Sequence, residues 1–347
     1  MGKLRFCFIT ALFVFPMMGG HAVAQAMQQQ VASCGNYDNA FTPEQQVVGC
    51  TALIKSGRET ERNLAFDYHS RGNAYRAKGD YDHAIADYTE ALWLDPKSAL
   101  AYRHRGNAYA DKGDYDRAIV DYNEAIRLDP KYEDAYYNRG VAQKARGDLN
   151  RAIADYTEAI RLDPKHALAY SNRGIAYADK GDNDRAIADY TESIRLDPSN
   201  ADWYNGRGNA YRAKGDYDHA IADYSEVIQL FPNLPNAFSA RCWTRALGGR
   251  ELLQALADCN EALRLLPNDA GALNSRGLVQ LKLGAYDRAI ADYSAAIAKS
   301  ERDADSLYGR GMAKLKSGDT AAGNADIVAA KAIRPNIDNV YAGYGVT

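Results

Sequence analysis

Two sets of residues in this 347-residue sequence are spaced in ways that could support chemistry. The first is cysteine, at Cys7, Cys34, Cys50, Cys242 and Cys259. No two of them form a Cys-x-x-Cys motif, so a catalytic dithiol is not expected. The second is a double row of opposite charge. Arg71, Arg105, Arg139, Arg173, Arg207, Arg241, Arg276 and Arg310 recur with a regular period, and Asp87, Asp121, Asp155, Asp189, Asp223, Asp258, Asp292 and Asp326 recur in step behind them. Such rows could be structural ion pairs or a line of anion-binding guanidinium groups. Acid–base catalysis needs carboxylates whose environments differ, and identical repeated pairs do not supply that difference. His69 and His104 are too few ligands for a metal site. Asp114-Tyr115-Asp116 lacks the ligand spacing of a calcium loop, and Gly309-x-Gly311 follows no strand, so it is no dinucleotide fingerprint. No catalytic residue, metal or cofactor is expected, and an enzyme is the remotest reading.

The elements that must position these residues follow from the period. Gly72, Gly106, Gly140, Gly174 and Gly208 stand 34 residues apart, Cys242 takes the next place, and Gly277 and Gly311 follow. Let Gly72 be position 8 of its repeat. Tyr68, Arg71, Gly72 and Tyr75 then form the i, i+3, i+4, i+7 stripe of a helix. Gly79 ends that helix in a left-handed cap and Asp80 caps the next. Ala84, Tyr88 and Ala91, at positions 20, 24 and 27, make the second stripe, which Asp95-Pro96 stops. Glycine at 8 opposite alanine at 20 lets the two helix axes approach closely. One such hairpin cannot bury its own apolar face, so neighbours must stack.

This period and residue set resemble the tetratricopeptide repeat (TPR) family, with an aromatic at 4, Gly at 8, Tyr at 11, Ala at 20, an aromatic at 24, Ala at 27 and Pro at 32. The resemblance spans residues 65–337 as eight repeats. It implies an all-α fold, a right-handed αα-superhelix or TPR solenoid, with 338–347 as a C-terminal capping tail. Departures are local. One extra residue lies around Gly248-Gly249-Arg250-Glu251, Pro235 adds a second proline after Phe231-Pro232, Glu301 replaces the proline at 32, and Gly323 and Ile327 stand at 20 and 24 of the last repeat.

Ahead of the regular array, Val48 to Leu53 aligns with Ala86 to Ala91, which puts Cys50 at position 24 and Cys34 at position 8. Residues 27–64 therefore read as a degenerate N-terminal repeat, with Thr42, Pro43 and Gln45 as N-cap, N1 and N3 of its second helix. Cys242 and Cys259 hold the same two positions in their own repeat. These positions face each other across a helix pair. Cys34–Cys50 and Cys242–Cys259 are therefore expected as disulfides, each worth roughly 3 kcal/mol; four buried free thiols are the alternative. Lys3 and Arg5, an apolar run from Phe6 to Met18 and Ala22-Val23-Ala24 read as a secretory signal over 1–24, cleaved after Ala24. Its apolar run is too short to cross a bilayer comfortably, so the mature chain is expected to be periplasmic or secreted, without an integral membrane segment.

The resemblance to the TPR family implies a concave surface lined by positions 2, 5, 6, 9, 12 and 13 of each first helix. Position 9 is Asn73, Asn107 and Asn209, and position 6 is Asn138 and Asn172; asparagine amides offer both donor and acceptor to an extended peptide. Beyond residue 240 position 9 becomes Trp243, Leu278 and Met312, joined by Leu247, Leu281 and Leu315, an apolar stripe suited to partner side chains. Tyr137 and Tyr308, at position 5, face the same way. Either a partner fills the apolar stripe, or the tail with Val340, Tyr341 and Tyr344 folds back over it. Some TPR domains grip a terminal carboxylate with Lys and Asn. The corresponding places here hold His69, Asn73, His104, Asp134 and Asn138, without the required cations. The formal charge of −3, or −5 once Lys3 and Arg5 leave, supplies no basic stripe for nucleic acid. The expected function is a scaffold or adaptor for protein or peptide partners; a self-associating solenoid or spacer is the alternative.

Overall fold

The computed structural model describes residues 19–36, 40–300 and 302–346, and these contain helices and connecting turns but no strand. The expected signal lies largely outside them, as does Glu301, although residues 19–24 open the first helix. The chain divides into two compact units, 1–148 and 149–347. The first holds α1 (Gly19–Gly35), α2 (Pro43–Ser56), α3 (Glu61–Ala77), α4 (Tyr81–Leu94), α5 (Ala99–Asp111), α6 (Tyr115–Leu128) and α7 (Glu133–Ala145). Each helix packs on the next, α1 on α2 through α6 on α7.

The second unit begins with α8 (Leu149–Leu162), which packs on α9 (Ala167–Asp179). It continues through α10 (Asn183–Leu196), α11 (Ala201–Ala213), α12 (Tyr217–Leu230), α13 (Pro235–Gly248) and α14 (Leu252–Leu265). Then follow α15 (Ala270–Lys282), α16 (Tyr286–Ile297), α17 (Ala304–Ser317), α18 (Thr320–Ile333) and a short α19 (Ile337–Gly343). First helices also touch one another: α13 meets α15, and α15 meets α17.

Local sequence explains the boundaries. Gly79 has φ +76°, a left-handed conformation that stops α3, and Asp80 Oδ1 accepts from the His83 amide to start α4. Thr42 and Gln45 close a reciprocal capping box on α2, with Pro43 inside its first turn. The extra residue near 250 is absorbed in the loop between α13 and α14, where Gly249 and Glu251 both turn left-handed and Arg245 holds Glu251 at 3.0 Å.

In most pairs the decisive contact joins positions 8 and 24; in the α9–α10 pair Tyr190 stands 3.5 Å from a Cβ built on Gly174 and presses instead on Gly206 of the next pair, at 2.6 Å. A Cβ built on Gly72 would lie 2.8 Å from Cε1 of the wholly buried Tyr88. Gly106, Gly208 and Gly277 meet Tyr122, Tyr224 and Tyr293 in the same way. In the last repeat Gly311 meets Ile327 instead. Where neither glycine nor tyrosine occurs, the sulfurs of Cys34 and Cys50 lie 2.09 Å apart and those of Cys242 and Cys259 1.94 Å apart, at disulfide distance.

The charged rows form clamps. Arg71 gives Nε and Nη2 to the two carboxylate oxygens of Asp87, at 2.8 and 2.7 Å, and Nη1 to Thr51 on the preceding second helix. Its guanidinium sits 5.5 Å from the Tyr68 ring. Arg71 thus ties three helices, and each of its three guanidinium nitrogens has a partner. Arg105, Arg173, Arg207, Arg241, Arg276 and Arg310 repeat the bidentate bond to Asp121, Asp189, Asp223, Asp258, Asp292 and Asp326. Their Nη1 atoms reach Thr89, Thr157, Thr191, Ser225, Asn260 and Ser294.

One buried carboxylate breaks the pattern. Asp67 replaces the alanine usual at position 3, is 4% exposed, and lies 3.5 Å from Cys34 Sγ. A sulfur in a disulfide has no proton to donate, so that contact does not satisfy the carboxylate. Burial, with repulsion from Glu59, raises its pKa to about 6.

Adding one methyl at position 8 should be costly although alanine is the better helix former. Gly72→Ala is expected to lower stability by about 1–2 kcal/mol in a urea melt followed by circular dichroism. A gain would show that the tyrosine contact is not tight.

Candidate partner-binding site

The first helices of successive pairs present the residues expected to bind a partner. In the first unit these helices are α3, α5 and α7. Asn73 and Asn107 lie half-buried on α3 and α5, and Tyr137 and Asn138 half-buried on α7. The expectation that the position-9 amides offer both donor and acceptor needs correction. Tyr88 donates its hydroxyl to Asn73 Oδ1 at 2.7 Å and Tyr122 donates to Asn107 Oδ1 at 2.8 Å. In the second unit Tyr224 does the same to Asn209 at 2.8 Å. The core tyrosine at position 24 reaches through the helix pair and takes the carbonyl, so the NH₂ group is the donor the amide has left to offer. Asn209 is exposed on α11, and Asn172 half-buried on α9.

Sequence reasoning missed a polar network across α3, α5 and α7. His69 Nε2 and His104 Nδ1 lie 2.8 Å apart with stacked rings, and His104 Nδ1 is also 2.9 Å from Asn73 Oδ1. Arg103 Nη2 is 2.8 Å from His104 Nε2. Arginine only donates, so His104 Nε2 is the acceptor and Nδ1 carries the proton. Nδ1–H then points at both Asn73 Oδ1 and His69 Nε2, which are acceptors. Arg103 pairs in turn with Asp134 at 3.1 Å and lies over the Tyr132 ring at 5.2 Å. Arg76 and Asp111 tie α3 to α5 at 2.6 Å. The signal available in the sequence was the charged residue at position 5, Arg103, beside a histidine at position 6.

Both imidazoles are held neutral. Burial, then Arg103, lowers His69 to about 4; burial, then His69 and Arg103, lowers His104 to about 3. A cation could not use His104 Nε2 without displacing Arg103. Among the described residues no group of three His, Cys, Asp or Glu side chains is placed to hold a metal.

The second unit resolves the choice left open for its apolar stripe: the chain's own tail covers it. Leu278 is fully buried, and Tyr308 and Met312 are buried with it, so these three do not lie open to a partner. Tyr341 packs on Tyr308 at 4.7 Å, Tyr344 meets Trp243 edge-on at 5.3 Å, and Tyr341 donates its hydroxyl to the Asp305 carbonyl at 2.7 Å. Ile337 and Val346 are buried in the same cluster. An aromatic tail within reach of an apolar stripe removes both from water.

Profiles described as TPR repeat match residues 72–113, 106–145 and 144–181, and profiles described as tetratricopeptide repeat match 172–235, 244–306 and 274–326. The chain belongs to the TPR family. A search of curated proteins by sequence gave no match. Among solved TPR structures, the C-terminal part of a TPR repeat-containing protein from Cytophaga hutchinsonii is 18% identical, with a TM-score of 0.60, over 72% of this chain and 98% of that one. YrrB, described as a TPR protein with an unusual peptide-binding site, is 20% identical with a TM-score of 0.50, over 55% of this chain and 97% of that one. MamA is 31% identical with a TM-score of 0.44, over 46% of this chain and 93% of its own.

The neutral histidines make a pH prediction for the TPR pairs of the first unit. Their folded pKa values lie below the ordinary value, so the unfolded chain gains protons first as pH falls below about 6.5, and stability is lost from there towards pH 4. Asp67 acts in the opposite sense: its folded pKa is raised to about 6, so its penalty builds as pH rises from about 4 to about 6 and is relieved on acidification. The comparison must therefore be with a variant. His69→Gln with His104→Gln should remove an acid loss on the order of 1–2 kcal/mol per histidine between pH 7.5 and pH 5, read from urea melts. Equal losses in both proteins would contradict buried neutral imidazoles.

Proposed function

We propose that this TPR protein is an extracytoplasmic scaffold, and that its first unit holds extended segments of partner proteins along α3, α5 and α7. The observation that carries the reading is the state of Asn73 and Asn107. With each carbonyl taken by a core tyrosine, the NH₂ group is what each half-buried amide has left to offer a partner, in equivalent places on neighbouring repeats. A row of fixed donors complements the carbonyls of an extended chain, as strand-like ligands require. The groups between them are rigid because Arg76–Asp111 and Arg103–Asp134 bind adjacent first helices together. A preorganised surface loses less entropy when it captures a segment. Asn138 and Tyr137 extend the surface on α7, and Asn172 and Asn209 offer the same side chain on α9 and α11.

The compartment is part of the proposal. Residues 1–24 carry the basic start, apolar run and small-residue cut of a secretory signal, with 27–64 the first helix pair of the mature chain, 65–337 its eight repeats and 338–347 its tail. Two cysteine pairs at disulfide distance suit an oxidising environment. No helix among the described residues is long and apolar enough to cross a membrane.

The test exploits the geometry of the amide. Asn73→Asp with Asn107→Asp keeps the oxygen that accepts from tyrosine and removes the donor. The variant is expected to keep the wild-type melting temperature to within a few degrees. Proteins enriched from an extracytoplasmic extract by the wild-type chain should fall at least tenfold on the variant, counted by quantitative mass spectrometry. Undiminished enrichment would remove the amide row from partner binding.

A further inference from the structure

The second unit carries an inner groove whose occupant is already in place. Its floor is Trp243 on α13, Leu278 and Leu281 on α15, and Met312 on α17. We propose that the segment Ile337–Val346 is a displaceable internal ligand of this groove. The partner that the groove fits is a short helical segment of the same chemistry, with two aromatics three residues apart and an apolar residue beyond them.

Three observations separate a displaceable ligand from a fixed cap. A cap closing the last pair need touch only α17 and α18, yet Tyr344 reaches back to Trp243, two pairs upstream. Three polar pairs beside the groove are made without the tail: Asn274 donates to Ser306 at 2.7 Å, Arg310 pairs with Asp326, and Arg334 holds Asp305 at 3.0 Å. Removal of the tail would leave none of them stranded. The segment is held by a few buried anchors, Ile337, Tyr341 and Val346, and little else fastens it. α19 has seven residues and no side-chain cap, Gly345 follows it at φ +72°, and its ion pair, Lys331–Asp338, is 43% exposed on both sides. A helix this short is unstable alone, so it folds where a surface supports it and unfolds when it leaves.

The pattern of the ligand is read from the contacts. Ile337 inserts at the C-terminal end, Tyr341 stacks on Tyr308 and fixes register through its hydroxyl on the Asp305 carbonyl, Tyr344 meets Trp243, and Val346 closes the far end. A competing segment must supply the two rings in that register to displace the tail. Amphipathic helices laid in apolar grooves are recognised by anchors of this spacing.

This inference rests on the scaffold reading, but its test uses the chain's own segment and is independent of the amide row on the first unit. A fluorescent peptide of residues 336–346 is titrated into the mature chain and into Tyr341→Ala with Tyr344→Ala. The variant should keep its helicity and bind the peptide at least tenfold more tightly than the wild-type chain, and adding Trp243→Ala should abolish the gain. Loss of helicity in the tail variant would show that the tail is part of the core and overturn the proposal. So would failure of the folded variant to bind. A wild-type dimer, seen by light scattering and dissolved by the peptide, would mean that copies exchange tails and would overturn the internal assignment.

Discussion

The structure depends on how closely the two helices of a pair approach at positions 8 and 24. Glycine against a tyrosine ring is the commonest solution, since a Cβ on Gly72 would meet Tyr88 at 2.8 Å. Two other solutions occur at the same place. Gly311 takes Ile327, and the two cysteine pairs replace the van der Waals contact with sulfurs at bonding distance. The cysteines therefore need no special site. They occupy a spot where the fold already brings two side chains together, and in an oxidising compartment a bond there restrains the unfolded chain as well.

The tight approach fixes what the neighbouring residues can do. Position 7 is pressed beside the crossing, and a buried arginine left unpaired there would be expensive. Asp at 23 and a hydroxyl or amide on the preceding helix satisfy it, and the aromatic at 4 covers its face. The row that could have bound anions is consumed in holding helices together. Position 24 has a second consequence. Its hydroxyl crosses to the inner face and takes the carbonyl of the asparagine at 9, so the packing of the core determines which half of the amide a partner meets. In the three repeats with asparagine at position 9, one hydrogen bond links core and groove.

Much of this was legible in the sequence. The 34-residue spacing of Gly72, Gly106 and their successors gave the helix pairs, and Gly79, Asp80 and Thr42 marked where helices stop and start. The alignment of Cys34 and Cys50 with positions 8 and 24 was enough to expect the bonding distance, because those positions are local to one hairpin. What could not be read depends on how far side chains reach across a pair and on contacts between pairs. Residue spacing does not show that the Tyr88 hydroxyl crosses its own helix pair to take the Asn73 carbonyl. The tautomer of His104 is dictated by Arg103, a neighbour at position 5 whose direction only the packed helices reveal. The choice between an open and a covered apolar stripe hung on Tyr344 meeting Trp243, residues roughly a hundred positions apart, for which no periodicity supplies a rule.

The most direct measurement of the shared contact is to exchange one solution for another. Gly106 and Tyr122 are a glycine–tyrosine pair, and Gly106→Cys with Tyr122→Cys places in them the residues that Cys242 and Cys259 provide naturally. If positions 8 and 24 of this pair approach as closely as those of the natural cysteine pairs, the variant, made as residues 25–347 and purified under oxidising conditions, retains its helicity and carries three disulfides and no free thiol by mass spectrometry and thiol titration. A folded variant in which the two new cysteines stay reduced would contradict it.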